Sequence, residues 1–213
     1  MKKEERKNVF LIFLVSSILM VIILSFSQIL NNNLSTIAKN LVFSFIIIFL
    51  SIFSKQVITK KIDLNVGFKF LTLRRYWFSP SSHFKNPIQI GLILPILLAI
   101  ISGGIMKFLV FFQFDLIKTP ARAAKRYGSQ RFSEIKEWDF ALVSFYSFLV
   151  LMLLAILSNF FVFKDLAKIT LLYTGLNLIP FGTFDGSRIF YGSKPLYAFS
   201  LIIFFIIWAY YLI

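Results

Sequence analysis

FALVSFYSFLVLMLLAILSNFFVF, residues 140–163, is 24 consecutive residues without a charge. As a helix it covers about 36 Å, more than the roughly 30 Å hydrocarbon core of a bilayer. The run reads as a membrane span, and its neighbours repeat the pattern. Ile169 to Phe184 and Pro195 to Ile213 follow it. Val9 to Ile29, Asn40 to Ser54 and Ile88 to Ile117 precede it, the last interrupted by Gly103 and Gly104. Asn40 to Ser54 is short, but Lys39 and Lys55 can snorkel at its ends. The expected fold is therefore a single all-α polytopic membrane domain over residues 1–213, with about six segments: 9–29, 40–54, 88–117 (broken), 140–163, 169–184 and 195–213. The first segment is too long for a signal-peptide core and no small-residue cleavage site follows it, so it is expected to stay as helix.

Composition agrees with this class and closes several functions. Hydrophobic residues are 58% of the chain and charged residues 15%, against about 25% charged in soluble proteins. With no Cys, there is no disulfide framework, thiolate metal cluster or cysteine nucleophile. A single His excludes an intact HExxH zinc motif.

The net charge of +14 reads as a positive-inside bias rather than a nucleic-acid surface. If each segment crosses once, the basic residues divide almost evenly between the two faces. If Ile88 to Ile117 instead enters and returns as a re-entrant hairpin turning near Gly103 and Gly104, 20 of the 23 basic residues are cytoplasmic. Only Lys39, Lys164 and Lys168 are then outside. The expectation is a cytoplasmic N-terminus and a prokaryotic plasma membrane. Leu64 to Trp77 (LNVGFKFLTLRRYW) alternates in part and is rich in β-formers, predicting a small β element at the membrane face. Ala121 to Tyr127 reads as a short interfacial helix.

One stretch carries the marks of a site: NLIPFGTFDGSRI, Asn177 to Ile189. Pro180 removes a backbone donor and disturbs the carbonyl four residues before it. Asn177, beside the break, is suited to serve that carbonyl. Asp185 follows near membrane depth, where a carboxylate is costly and points to function. Read as plain structure, the same residues give a helix stop, a turn at Asp185-Gly186 and an Asp185–Arg188 pair.

The spacing N-x-x-P-x-x-x-x-D-G resembles the third-ligand motif of the site-2 protease family of intramembrane zinc metalloproteases. Glu137-Trp138-Asp139 before a long span is similar to archaeal-type members. So is Asn86-Pro87 with Gly91 opening an apolar stretch that contains Pro95. The resemblance implies that Asp185 stands where a zinc ligand would, and that Asn177, Pro180 and Gly186 shape a substrate cleft. It covers roughly residues 45 to 213.

The other ligands are missing. The family's HExxH falls on Ser51-Ile52-Phe53-Ser54-Lys55, and residues 45 to 62 contain no His, Glu, Asp or Cys. His83 lies in a loop outside the motif. A catalytic zinc needs three protein ligands and a water, and hydrolysis needs a general base. The reading is a degenerate pseudoprotease with no metal cofactor, in a family that uses zinc. Such a protein acts by binding transmembrane helices or as a scaffold. In this register Lys55 stands opposite Asp185, so a Lys55–Asp185 ion pair replaces the metal. The competing arrangement is Lys55 snorkelling and Asp185 pairing with Arg188.

Other functions weigh less. An active metalloprotease with non-standard ligands and a small transporter are the alternatives, although no inverted repeat supports transport. Ser51 and Lys55, spaced i, i+4, are similar to a serine–lysine dyad without an oxyanion hole. The expected partners are the lipid bilayer, transmembrane helices of other proteins, and anionic lipid headgroups at the basic loops. Nucleic acid is not among them.

Overall fold

The computed structural model describes residues 3–26, 28, 34–75, 83–120, 126–127, 130–131 and 134–212. Helix α1 (Lys3–Leu24) packs on α2 (Leu34–Lys61), with Met20, Ile23, Ile47 and Ile48 in the core. Phe13 meets Phe45 edge-on at 5.4 Å, and the Asn40 amide donates to Ser25 Oγ and Gln28 Oε1 at 3.0 and 3.1 Å. The expected second segment ends at Ser54, with Lys55 at the headgroups. The helix instead runs on to Lys61, and Lys55 is turned inward at 2% exposure.

Strand β1 (Leu64–Phe70) follows and pairs antiparallel with β4 (Phe112–Lys118), setting Gly67 opposite Asp115 and Phe68 opposite Phe114. Alternation places Leu64, Val66, Phe68, Phe112, Phe114 and Leu116 on one buried face, closing the core beneath α1 and α2. Between these strands lie β2 (Leu73–Arg75) paired with β3 (His83–Ile88), and helix α3 (Ile90–Ile101). Strands β5 (Arg126–Tyr127) and β6 (Gln130–Arg131) form a third small ladder. Residues 121–125, most of the expected interfacial helix, lie outside the described residues, and its end at Arg126–Tyr127 is strand.

The broken segment 88–117 is corrected in detail. One arm is helix α3, about 18 Å long. The chain turns at Gly103 and Gly104, whose φ of 60° and 85° are left-handed values that suit glycine. The return arm is extended and runs into β4 rather than forming a second helix. The base is closed by Leu71, whose N–H donates to the Phe111 carbonyl at 3.0 Å and whose carbonyl accepts from Gly91 N–H at 2.9 Å. A Cβ at Gly91 would lie 2.1 Å from the Phe111 oxygen, so only glycine fits there.

Helix α4 (Glu137–Phe160) is the hub, touching α2, α5 (Lys164–Leu178), α6 (Asp185–Gly192) and α7 (Lys194–Leu212). Its start is fixed by the Asp139 carboxylate, which accepts the Lys136 backbone N–H at 2.9 Å. Glu137 and Asp139 also complement the helix dipole. Buried Ala141, Ser144, Ser147, Ala155 and Ser158 let the neighbouring helices approach closely.

Segment 169–184 is also corrected. Its helix begins at Lys164 and stops at Leu178, because Ile179, held before Pro180, adopts an extended ψ of 129°. Among the described residues, four helices are long and apolar enough to cross a membrane: Lys7–Leu24 of α1, Leu34–Lys61, Glu137–Phe160 and Lys194–Leu212. With 12 and 15 residues, α3 and α5 are shorter than a full crossing requires. The architecture is mostly helical, carries small two-stranded sheets, and is compatible with an integral membrane protein.

Candidate functional site

Everything in the site depends on how α5 ends. Pro180 cannot continue the helix, and the Leu176 carbonyl that it would have served accepts Ile179 N–H at 3.4 Å. Asn177 does not take that role. Its amide donates to the Tyr173 carbonyl at 2.9 Å, one turn back in the same helix. The chain then turns through Phe181, with its N–H on the Ile179 carbonyl at 2.8 Å, and Gly182, whose φ is 55°. The Ser187 hydroxyl reaches back to the Gly182 and Phe184 carbonyls at 2.9 and 2.8 Å.

Asp185 is the first residue of α6 rather than a turn residue. Gly186 behind it is pressed on the end of α5, where a Cβ would lie 1.9 Å from the Leu178 carbonyl oxygen. That contact aims the Asp185 carboxylate at α2.

There it meets Lys55, with Nζ 2.7 Å from Asp185 Oδ2. The two side chains are 3% and 18% exposed. The rings of Phe112 and Phe114 face the same ammonium at 5.3 and 5.2 Å, within cation–π range. Arg188 does not form the alternative salt bridge with Asp185. Its guanidinium lies 3.9 Å over Phe114 and 5.1 Å from Phe140, and Nη2 is 3.9 Å from Asp115 Oδ1. Burial pushes the Arg188 pKa down from its ordinary value, while Asp185 and Asp115 push it back up. Asp115 is held from outside by Lys69 at 3.0 Å.

A polar seam continues up the helices from the ion pair. Tyr173 Oη lies 3.2 Å from Ser51 Oγ, and Ser54 Oγ lies 3.1 Å from Ser147 Oγ. No side-chain hydrogen bond joins Ser51 to Lys55, since the Ser51 hydroxyl is engaged by Tyr173 and the Lys55 ammonium by Asp185.

Beside the pair opens an apolar cleft of about 450 Å³. Its walls are Leu71 to Leu73, Ile90 and Leu94 of α3, Phe108, and the turn residues Ile179 and Phe181 to Phe184. Asn177, Pro180 and Gly186 build the turn but do not line the cleft. The residues that line it from β1–β2 and the hairpin carry no motif and were missed from sequence. The one sequence mark near them is Gly91, whose packing against Leu71 and Phe111 only the structure reveals.

The donor set does not suit zinc. Asp185 is the one ligand-type group at the pair, and an ammonium offers no lone pair and repels a cation. Among the described residues no group of three His, Cys, Asp or Glu side chains gathers. His83 enters only as a β3 residue opposite Arg75. The site is thus a buried ion pair at a helix junction beside an apolar cleft, in a chain whose described residues include four helices fit to cross a membrane. Comparison with models of known protein families, with characterised proteins and with solved structures finds no match.

Proposed function

We propose that this chain is a site-2-protease-like integral membrane protein that is not a protease and binds transmembrane helices of other proteins. The observation that carries this reading is the Lys55–Asp185 contact at 2.7 Å. In the family-like register the metal would sit between the residue-51, residue-55 and residue-185 side chains. Here Lys55 and Asp185 already satisfy one another, and Ser51 is engaged by Tyr173. A cation has been replaced by a cation, and with Ile52 at the general-base position no hydrolytic step is available.

The cleft gives the binding function its place. A helical turn about 10 Å across and 5.4 Å long fills roughly 420 Å³. A volume of about 450 Å³ is on the scale of one turn of a docked segment. Its apolar lining favours a membrane-embedded ligand over a soluble one.

The topology we infer keeps the N-terminus cytoplasmic in a prokaryotic plasma membrane. The four long helices cross it, residues 90–111 form a re-entrant hairpin, and α5 is a short protein-buried crossing. Lys107, counted with the inner loops from sequence, stands three residues after the Gly103–Gly104 turn and so belongs to the hairpin tip.

A photo-crosslinking residue at Phe181 is expected to trap co-expressed single-span proteins, and Leu94→Trp to reduce the trapping by filling the cleft. The same probe at Phe199, exposed on α7, is the control. Zinc-dependent cleavage of a trapped protein, lost on Asp185→Ala, would overturn the reading.

A further inference from the structure

The cleft beside the ion pair carries two polar side chains among its aliphatic and aromatic lining. They come from different walls: Thr72 from the link between β1 and β2, and Thr183 from the turn before α6. Gln113 of β4 ties them together. The Thr183 hydroxyl donates to Gln113 Oε1 at 2.5 Å, and Gln113 Nε2 donates to Thr72 Oγ1 at 3.4 Å.

These two bonds leave a defined remainder. The Thr72 hydroxyl accepts from Gln113, and its own proton has no acceptor among the described residues. The Thr183 hydroxyl has given its proton to Gln113 and keeps lone pairs for a donor. The cleft thus offers one donor and one acceptor. Their spacing matches the two ends of a carboxamide, because the Gln113 carboxamide already spans them. A docked segment that covered them with hydrocarbon alone would strip water from the Thr72 proton and return nothing for it. Selectivity of this kind comes from penalising the wrong partner as much as from rewarding the right one.

We propose that the cleft selects transmembrane segments bearing an Asn or Gln near their cytoplasmic end, which rests on the helix-binding reading above and names the group it recognises. The ligand carboxamide oxygen accepts from Thr72 and its NH2 donates to Thr183. A carboxylate has no proton for Thr183, and an ammonium has no lone pair for Thr72. A single hydroxyl oxygen is too short to meet both ends. The cytoplasmic position follows from the inferred topology, in which the cleft lies at the inner end of α5.

The test uses the full chain with a photo-crosslinking residue at Phe181, co-expressed with single-span hosts of Leu and Ala. A host with Asn in its cytoplasmic-end turn is expected to be trapped about tenfold better than the all-apolar host, the effect of two interhelical hydrogen bonds of about threefold each. Thr72→Val should cut that preference about threefold, while Thr72→Ser retains it and shows that the fold is intact. Thr72→Val with Gln113→Leu and Thr183→Val should trap the two hosts alike. Equal trapping of both hosts by the parent would overturn the proposal and leave the helix-binding reading standing. So would a preference that survives the triple substitution, or one as large for Asn at the outer end of the host. Trapping of neither host would overturn the helix-binding reading and this proposal with it.

Discussion

Removing one partner of the Lys55–Asp185 pair should damage the fold more than removing both. At 2.7 Å and an effective dielectric near 20, the gross attraction is about 6 kcal/mol. Most of it offsets the desolvation of the two charges, so the net worth of the pair against a neutral substitute is small. Breaking it is another matter. Asp185→Asn leaves an ammonium whose side chain is 3% exposed without its counter-charge, with a neutral amide and two ring faces at more than 5 Å for company. The expected loss is in the upper part of the range of about 3–5 kcal/mol for a broken buried pair. Lys55→Met should cost less, about 3 kcal/mol, because Asp185 keeps 18% exposure and the field of Arg188. Lys55→Met with Asp185→Asn should return to within about 1–2 kcal/mol of the parent, giving a coupling well above 2 kcal/mol. Reversible unfolding in bicelles, followed by Trp fluorescence, measures all three variants. Single losses below about 1 kcal/mol, or a double variant equal to the sum of the singles, would refute the reasoning.

Further outcomes follow from other contacts. Gly186→Ala should cost at least about 3 kcal/mol, because its Cβ would stand 1.9 Å from the Leu178 oxygen. Gly103→Ala, with open space but a φ of 60°, should cost only about 1–2 kcal/mol in the same unfolding assay. Ser51→His with Lys55→His sets two imidazoles one turn apart opposite Asp185, and should bind zinc that Asp185→Ala weakens by at least about tenfold in chelator competition. That variant should still cleave nothing, since position 52 has no base. The absence of cysteine allows single-cysteine mapping. Lys39→Cys and Lys164→Cys should react with an impermeant maleimide in intact cells, while Lys7→Cys and Lys60→Cys should not.

The long apolar helices were legible because their signal is local. Phe140 to Phe163 and Pro195 to Ile213 need only a charge-free run of sufficient length, and α4 and α7 follow these runs closely. Pro180 marked a helix stop just as locally, yet the expected segment ran on to Phe184, past the observed end at Leu178. Residues 107–117 were not legible, because a short apolar run looks alike as helix and as buried strand. Their strand character depends on β1, more than forty residues upstream. The true length of α2 was hidden by Lys55, which reads as a boundary until its partner is known. That partner lies 130 residues away, and no periodicity connects the two. Only the register of the family-like motif set them opposite each other. The aromatic faces of Phe112 and Phe114 around the ammonium, and the Tyr173–Ser51 contact, had no sequence signal at all.

Metal analysis of the purified, detergent-solubilised chain tests the central claim most directly. If the Lys55 ammonium holds the place of the metal, zinc should be far below one ion per chain and unchanged by Asp185→Ala. One zinc per chain, lost on that substitution, would contradict it.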